Sequence, residues 1–124
     1  MWISIAIGGA VGTLARYGLF GIAQRYSAFF PWGTLTINVT GSLLLGFLVR
    51  YLLATPASPE LRAALTIGFC GGFTTFSAFS YEAAALMESG AMGRAFAYMT
   101  ASVTLSIAAT FIGFAIARGV LAPR

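Results

Sequence analysis

Residues 68–80 read GFCGGFTTFSAFS and lie inside a segment, residues 61–86, that is otherwise apolar enough for a membrane. Three glycines lower helix propensity there, and adjacent Thr74 and Thr75 add β-branching, so a continuous helix is disfavoured. A broken helix is expected, with the interruption between Gly71 and Thr75. Lipid cannot satisfy free N–H and C=O groups, so irregular backbone at membrane depth persists only where it is buried in protein or lines a watery path. The break is therefore expected to be a binding element. Just past it, Phe76 and Phe79 stand three apart, on one face of a resumed helix. The two rings have two open readings, packing or part of a path.

The whole chain fits this setting. Its 124 residues are 59% hydrophobic and 8% charged, whereas a soluble domain carries roughly one quarter charged residues. At about 20 residues per span, residues 1–124 hold four membrane helices in a single domain, with short loops and nothing left for a soluble unit. Four helices enclose too little for a pore or solute cavity, so an oligomer is expected.

The charged inventory excludes several classes. All seven basic residues are Arg, the acids are Glu60, Glu82 and Glu88, and His, Asp and Lys are absent. The net charge of +4 comes from Arg near helix ends, which is a topology signal and points to no nucleic-acid partner. A lone Cys70 excludes an intrachain disulfide and a Cys-based zinc site, leaving it a small packing residue. Without His or Asp there is no metal cluster and no Ser/His/Asp group, so the chain is not expected to be an enzyme. The opening Met-Trp-Ile-Ser lacks the positive region of a secretory signal, so the first segment is expected to be retained.

The first helix is expected over residues 3–23, where Gly8 and Gly12 form a GxxxG step suited to close helix packing. Arg16 lies well inside it, at a cost of roughly 2.5–3.5 kcal/mol on insertion scales unless it snorkels or finds a partner. It either snorkels with Tyr17 or forms an anchor or positive wall for an anion vestibule. An aromatic turn from Arg25 to Trp32 suits a membrane interface. The second helix, residues 33–54, carries Thr34, Asn38 and Ser42 at intervals of four, a stripe that drifts only ~40° per step. Asn38 serves either as interhelical glue or in lining a polar path.

Ser58, Pro59 and Glu60 form a helix start for the third segment. Thr75, Phe79 and Glu82 fall at i, i+4 and i+7, placing a hydroxyl, a ring and a carboxyl on one face. Glu82 is a functional candidate near a watery mouth or the partner of an interfacial Arg. The last helix, residues 95–117, bears a ladder of hydroxyls at Tyr98, Ser102, Ser106 and Thr110, read as a track or as helix-packing hydrogen bonds. Residues 118–124 are expected to be a disordered or interfacial tail. With four spans the termini share a side holding Arg50, Arg62, Arg118 and Arg124, against Arg25 and Arg94 opposite. That bias is modest. It places the termini in the cytoplasm yet leaves insertion in both directions open.

Hydroxyls, one amide, phenyl edges and an Arg suit a small anion, since hydroxyls and amides donate hydrogen bonds and a ring edge carries positive quadrupole. Carbonyls freed at a helix break also commonly coordinate a cation, and those from Gly71 to Thr75 offer such oxygens.

The runs GGAVGTLARY, GTLTINVTG and GFCGGFTTFSAF, in this order within four short spans, resemble the Fluc (CrcB) fluoride channels, and the resemblance covers essentially the whole chain. It implies an antiparallel, dual-topology homodimer in the bacterial cytoplasmic (inner) membrane, whose two pores pass fluoride out of the cell passively. It implies a sodium ion at the dimer centre on the backbone carbonyls of Gly71 and Thr74. It also implies ring-edge fluoride sites at Phe76 and Phe79, a pore-side amide at Asn38, a polar track at Tyr98, Ser102 and Ser106, and a first-helix arginine at Arg16. Thr75 and Glu82 join the expected pathway from their position on the third segment. Two positions depart from the family pattern: Ala78 stands where Thr or Ser is common, and Thr13 where Ala is common. The alternative is a small proton-coupled multidrug exporter of four-helix type. Such exporters need a membrane-embedded Glu in the first helix, and this sequence has none there.

Overall fold

The computed structural model describes residues 1–122. Its elements are α1 (Trp2–Ala23), a short 3-10 turn (Gln24–Tyr26), α2 (Trp32–Leu53), α3 (Pro59–Ala63), a π-helical turn (Ala64–Cys70), α4 (Gly71–Phe73), α5 (Phe76–Glu88) and α6 (Met92–Leu121). α3, the π turn, α4 and α5 together make the third crossing, so the described residues hold four helical segments long and apolar enough to span a membrane: Trp2–Tyr26, Trp32–Leu53, Pro59–Glu88 and Met92–Leu121. It is a multi-pass membrane protein. Large apolar side chains such as Trp2, Ile3, Leu14, Phe96 and Phe111 lie exposed on its outer faces, as a lipid-facing surface requires.

The third segment begins where its sequence signal lies. Ser58 caps α3 by accepting a hydrogen bond from the Leu61 N–H at 3.2 Å, with Pro59 in the first turn. The last helix is longer than the sequence suggests, running from Met92 to Leu121. Arg118 is therefore helical, and the expected tail begins later; Pro123 and Arg124 lie outside the described residues. No proline stands between Met92 and position 123 to stop the helix, and the glycines at 93 and 119 weaken it without breaking it.

Neighbouring helices pair in parallel. α1 lies along the first half of the third segment, with Gly8 against Ala64, Gly12 against Phe69 and Arg16 against Thr74. α2 lies along α6, with Thr34 and Tyr98 meeting at Glu82, Gly46 against Thr110 and Phe47 against Gly113. Both contacts need missing side chains. A Cβ at Gly12 would strike the Phe69 carbonyl oxygen, and one at Gly72 on the opposing helix would come within 2.5 Å of the Gly9 carbonyl oxygen. The glycines of the two segments thus interlock at backbone distance, the close approach that small residues allow in membranes. The π turn faces α1 through this stretch, and Cys70 at its end is buried, as its packing role predicts.

Many hydroxyls satisfy themselves locally. Thr40 donates to the Thr36 carbonyl at 2.7 Å, and Thr104 to the Thr100 carbonyl at 2.7 Å, the usual back-bonding of threonine inside a helix. At one rim Arg50 sits 5.0 Å from the centre of the Phe114 ring, a cation–π contact suited to an interface.

Candidate functional site

The third segment breaks at two residues. Thr74 (φ −81°, ψ 159°) and Thr75 (φ −150°, ψ 114°) are extended, between α4 and α5. The last bond of the upstream helix runs from the Thr74 N–H to the Cys70 carbonyl at 3.0 Å. An uninterrupted helix would next bond the Thr75 N–H to the Gly71 carbonyl. Instead that N–H donates to Asn38 Oδ1 at 2.8 Å, while Asn38 Nδ2 donates to the Thr75 carbonyl at 2.9 Å. One amide therefore replaces a turn of backbone pairing. Downstream, the Ala78 N–H, which would have reached the Thr74 carbonyl, is accepted by Thr75 Oγ1 at 3.2 Å, an N-cap for α5.

The consequence is that the Gly71 and Thr74 carbonyls are released from the helical ladder. α1 attends to two oxygens of the break: Arg16 Nη1 donates to the Thr74 carbonyl at 3.4 Å, and Thr13 Oγ1 to the Gly72 carbonyl at 3.4 Å. Gly71 is exposed, and nothing lies within 4 Å of where its Cβ would stand. Carbonyl oxygens released at a helix break are the kind of hard donor a monovalent cation takes, and of these two the Thr74 oxygen already accepts from Arg16.

Beyond the break, Phe76 and Phe79 open α5 with their ring centroids 5.4 Å apart and tilted by 46°. They border a cleft of about 310 Å³ whose other walls include Asn38, Ser42, Thr75, Ser102 and Ser106. Eight of the residues singled out from sequence therefore meet at one place: Asn38, Ser42, Thr74, Thr75, Phe76, Phe79, Ser102 and Ser106. Ser102 is 7% exposed and its hydroxyl has no hydrogen-bond partner within 3.5 Å among the described residues, a costly condition for a buried polar atom unless something binds there. Phe76 is 78% exposed in the single chain, so one wall of the cleft is open.

Tyr98 and Glu82 stand just beyond the cleft. Tyr98 is fully buried and its ring lies 5.3 Å from that of Phe79 and 5.6 Å from that of Phe30. Its hydroxyl donates to Glu82 Oε2 at 2.6 Å, and Thr34 Oγ1 donates to Glu82 Oε1 at 2.7 Å. Glu82 is thus held by two hydroxyls from α2 and α6 and, among the described residues, not by an arginine. Thr110, the last rung of the ladder, turns away and donates to the Ser106 carbonyl at 3.0 Å.

Arg16 occupies a second recess of about 250 Å³ with Thr13, Tyr17, Thr34, Thr75 and Ala78. It does not line the main cleft. The two recesses share Thr75. The sequence left two parts of this arrangement unpaired: Thr34 with Glu82, and Phe30 against Tyr98. Thr34 lay on the recognised polar stripe, whereas a phenylalanine in an aromatic turn carries no signal of its inward contact.

The family model described as "CrcB-like protein, Camphor Resistance (CrcB)" matches residues 3–114. Three relatives share the name "Fluoride-specific ion channel FluC". The protein from Rhizobium meliloti (strain 1021) is 48% identical over 120 residues, covering 94% of this chain and 95% of its own. That from Geobacter sulfurreducens is 47% identical over 121 residues, with 94% and 95% covered. One from Thermus thermophilus is 43% identical over 114 residues, with 91% of each covered. The match reaches from the start of α1 into the second half of α6, so every residue of the break and cleft falls inside it. The chain belongs to the CrcB-like family.

Proposed function

We propose that the protein is a fluoride-selective ion channel that lets cytoplasmic fluoride leave passively. The observation that carries this reading is the cleft at the helix break, which Phe76 and Phe79 line together with Asn38, Ser102 and Ser106. A small anion in hydrocarbon must recover its lost hydration from such donors. The Ser102 hydroxyl, buried at the edge of the cleft, is one such donor. Rings supply positive edges without a fixed charge that would hold the ion too tightly. Thr75 positions the rings through its cap on α5, and the pathway continues past Tyr98 and Glu82. Arg16, in the adjoining recess, gives that side of the break a positive vestibule.

The open side of the cleft calls for a second copy of the chain. The functional unit is an antiparallel, dual-topology homodimer in the bacterial inner membrane, with two pores. Sodium at the dimer centre is held by the Gly71 and Thr74 carbonyls. It supplies a structural positive charge that offsets part of the cost of a nearby anion. The proton-coupled exporter gains no support: its required acid in the first helix is missing, and Glu82 stands on the third segment between two hydroxyls.

The test is efflux from liposomes followed with a fluoride electrode and no imposed proton gradient. Fast fluoride release on adding a potassium ionophore is expected. Release that requires an opposing proton flux would replace the channel with a coupled transporter.

A further inference from the structure

Arg94 stands four residues before Tyr98, and Tyr98, Ser102 and Ser106 follow at intervals of four on α6. Each interval advances about 6 Å along the helix with little rotation, so Arg94 heads the row of polar side chains that leads into the cleft. It also lines a separate cavity of about 320 Å³ at the membrane rim, together with Glu82, Phe30, Tyr81, Ser27 and Ser89. Glu82 is the link. It faces this cavity while its two oxygens accept from Tyr98 and Thr34.

The cavity presents an anion with a difficulty, because any path through it passes a carboxylate. Its two serines offer little relief: Ser27 donates to the Ala23 carbonyl at 3.0 Å and accepts from the Gly33 N–H at 3.2 Å, and Ser89 donates to the Leu86 carbonyl at 2.9 Å. Arg94 is the cationic side chain among the residues lining this cavity. One of its five N–H donors is fixed, with Nη1 on the Phe29 carbonyl at 2.9 Å. That bond pins the guanidinium to the α1–α2 connection and leaves its other donors available.

We infer that Arg94 is the anion-gathering residue at the rim end of the pathway, a group that offsets the charge of Glu82 and raises the local fluoride concentration. This rests on the channel reading above. Focusing of this kind acts on ion capture, so it matters most when fluoride and salt are dilute and fades once screening shortens its reach to about 8–10 Å.

The experiment is single-channel recording in planar bilayers of the wild type, Arg94→Gln and Arg94→Lys, at low and high fluoride and ionic strength. Arg94→Gln is expected to lower conductance by about threefold or more at low ionic strength and to approach the wild type at high. Arg94→Lys, which keeps the charge but loses the planar fork, is expected to conduct like the wild type in both. Equal conductance of Arg94→Gln and wild type at low ionic strength would overturn the inference. So would an Arg94→Lys channel as poor as Arg94→Gln, since the role would then be the clamp on Phe29. A conducting wild type with either result leaves the channel reading standing; a wild type with no fluoride current removes both.

Discussion

Asn38 holds the broken helix with both ends of its amide, and its replacement separates that task from the chemistry of the cleft. Asn38→Asp keeps an acceptor for the Thr75 N–H but loses the donor to the Thr75 carbonyl, leaving two oxygens facing each other. The expected cost is about 1–3 kcal/mol, read as a lower unfolding midpoint in detergent. The added negative charge in the cleft should also abolish fluoride flux. Phe76→Ile makes the complementary case. Phe76 is largely exposed in the single chain, so the fold of that chain should change in stability by no more than about 0.5 kcal/mol, with the dimer left intact. Losing the ring edge should reduce fluoride efflux by at least about tenfold, if the edge replaces a hydrogen bond worth ~1.4 kcal/mol or more in passage. Undiminished efflux from Phe76→Ile would take the rings out of the pathway.

The helix pair made by α1 and the third segment sets where the break can sit. Gly12→Val would drive a branched side chain into the Phe69 carbonyl and push the two segments apart, whereas Gly18→Ala enters open space. Thermal unfolding should show Gly12→Val destabilised by about 1–3 kcal/mol or more, with Gly18→Ala within about 0.5 kcal/mol of the parent. A tolerated Gly12→Val would mean the interlock does not position the break. Much of this segment was legible in the sequence. Gly71, Gly72, Thr74 and Thr75 announced an interruption because local backbone preference changes there, and Ser58 with Pro59 announced its start. The parallel pairing was not legible, since GxxxG steps state that helices approach closely without naming the partner. Nor was the division of labour among polar residues. Asn38 and Tyr98 looked alike as members of stripes, yet Asn38 braces the backbone at the edge of the cleft and Tyr98 is buried against a carboxylate. Which partner a polar group finds depends on helices distant in sequence.

The whole molecule carries little charge asymmetry among its described residues, with Arg50, Arg62 and Arg118 at the termini side and Arg25 and Arg94 opposite. Near balance is what insertion in both orientations needs. Adding Ala54→Arg and Ala57→Arg to the termini side should fix every copy in one orientation, measured by labelling an introduced loop cysteine from either face. Antiparallel assembly then predicts that these membranes lose fluoride flux and regain it when a variant biased the other way is co-expressed. Flux that persists in uniformly oriented membranes would rule out the antiparallel pair. The most direct test of the account is the reversal potential across a planar bilayer with fluoride on one side and chloride at equal concentration on the other. A pathway in which rings and hydroxyls replace fluoride's hydration predicts a potential set by the fluoride gradient alone; a potential close to zero, with chloride passing equally well, would contradict it.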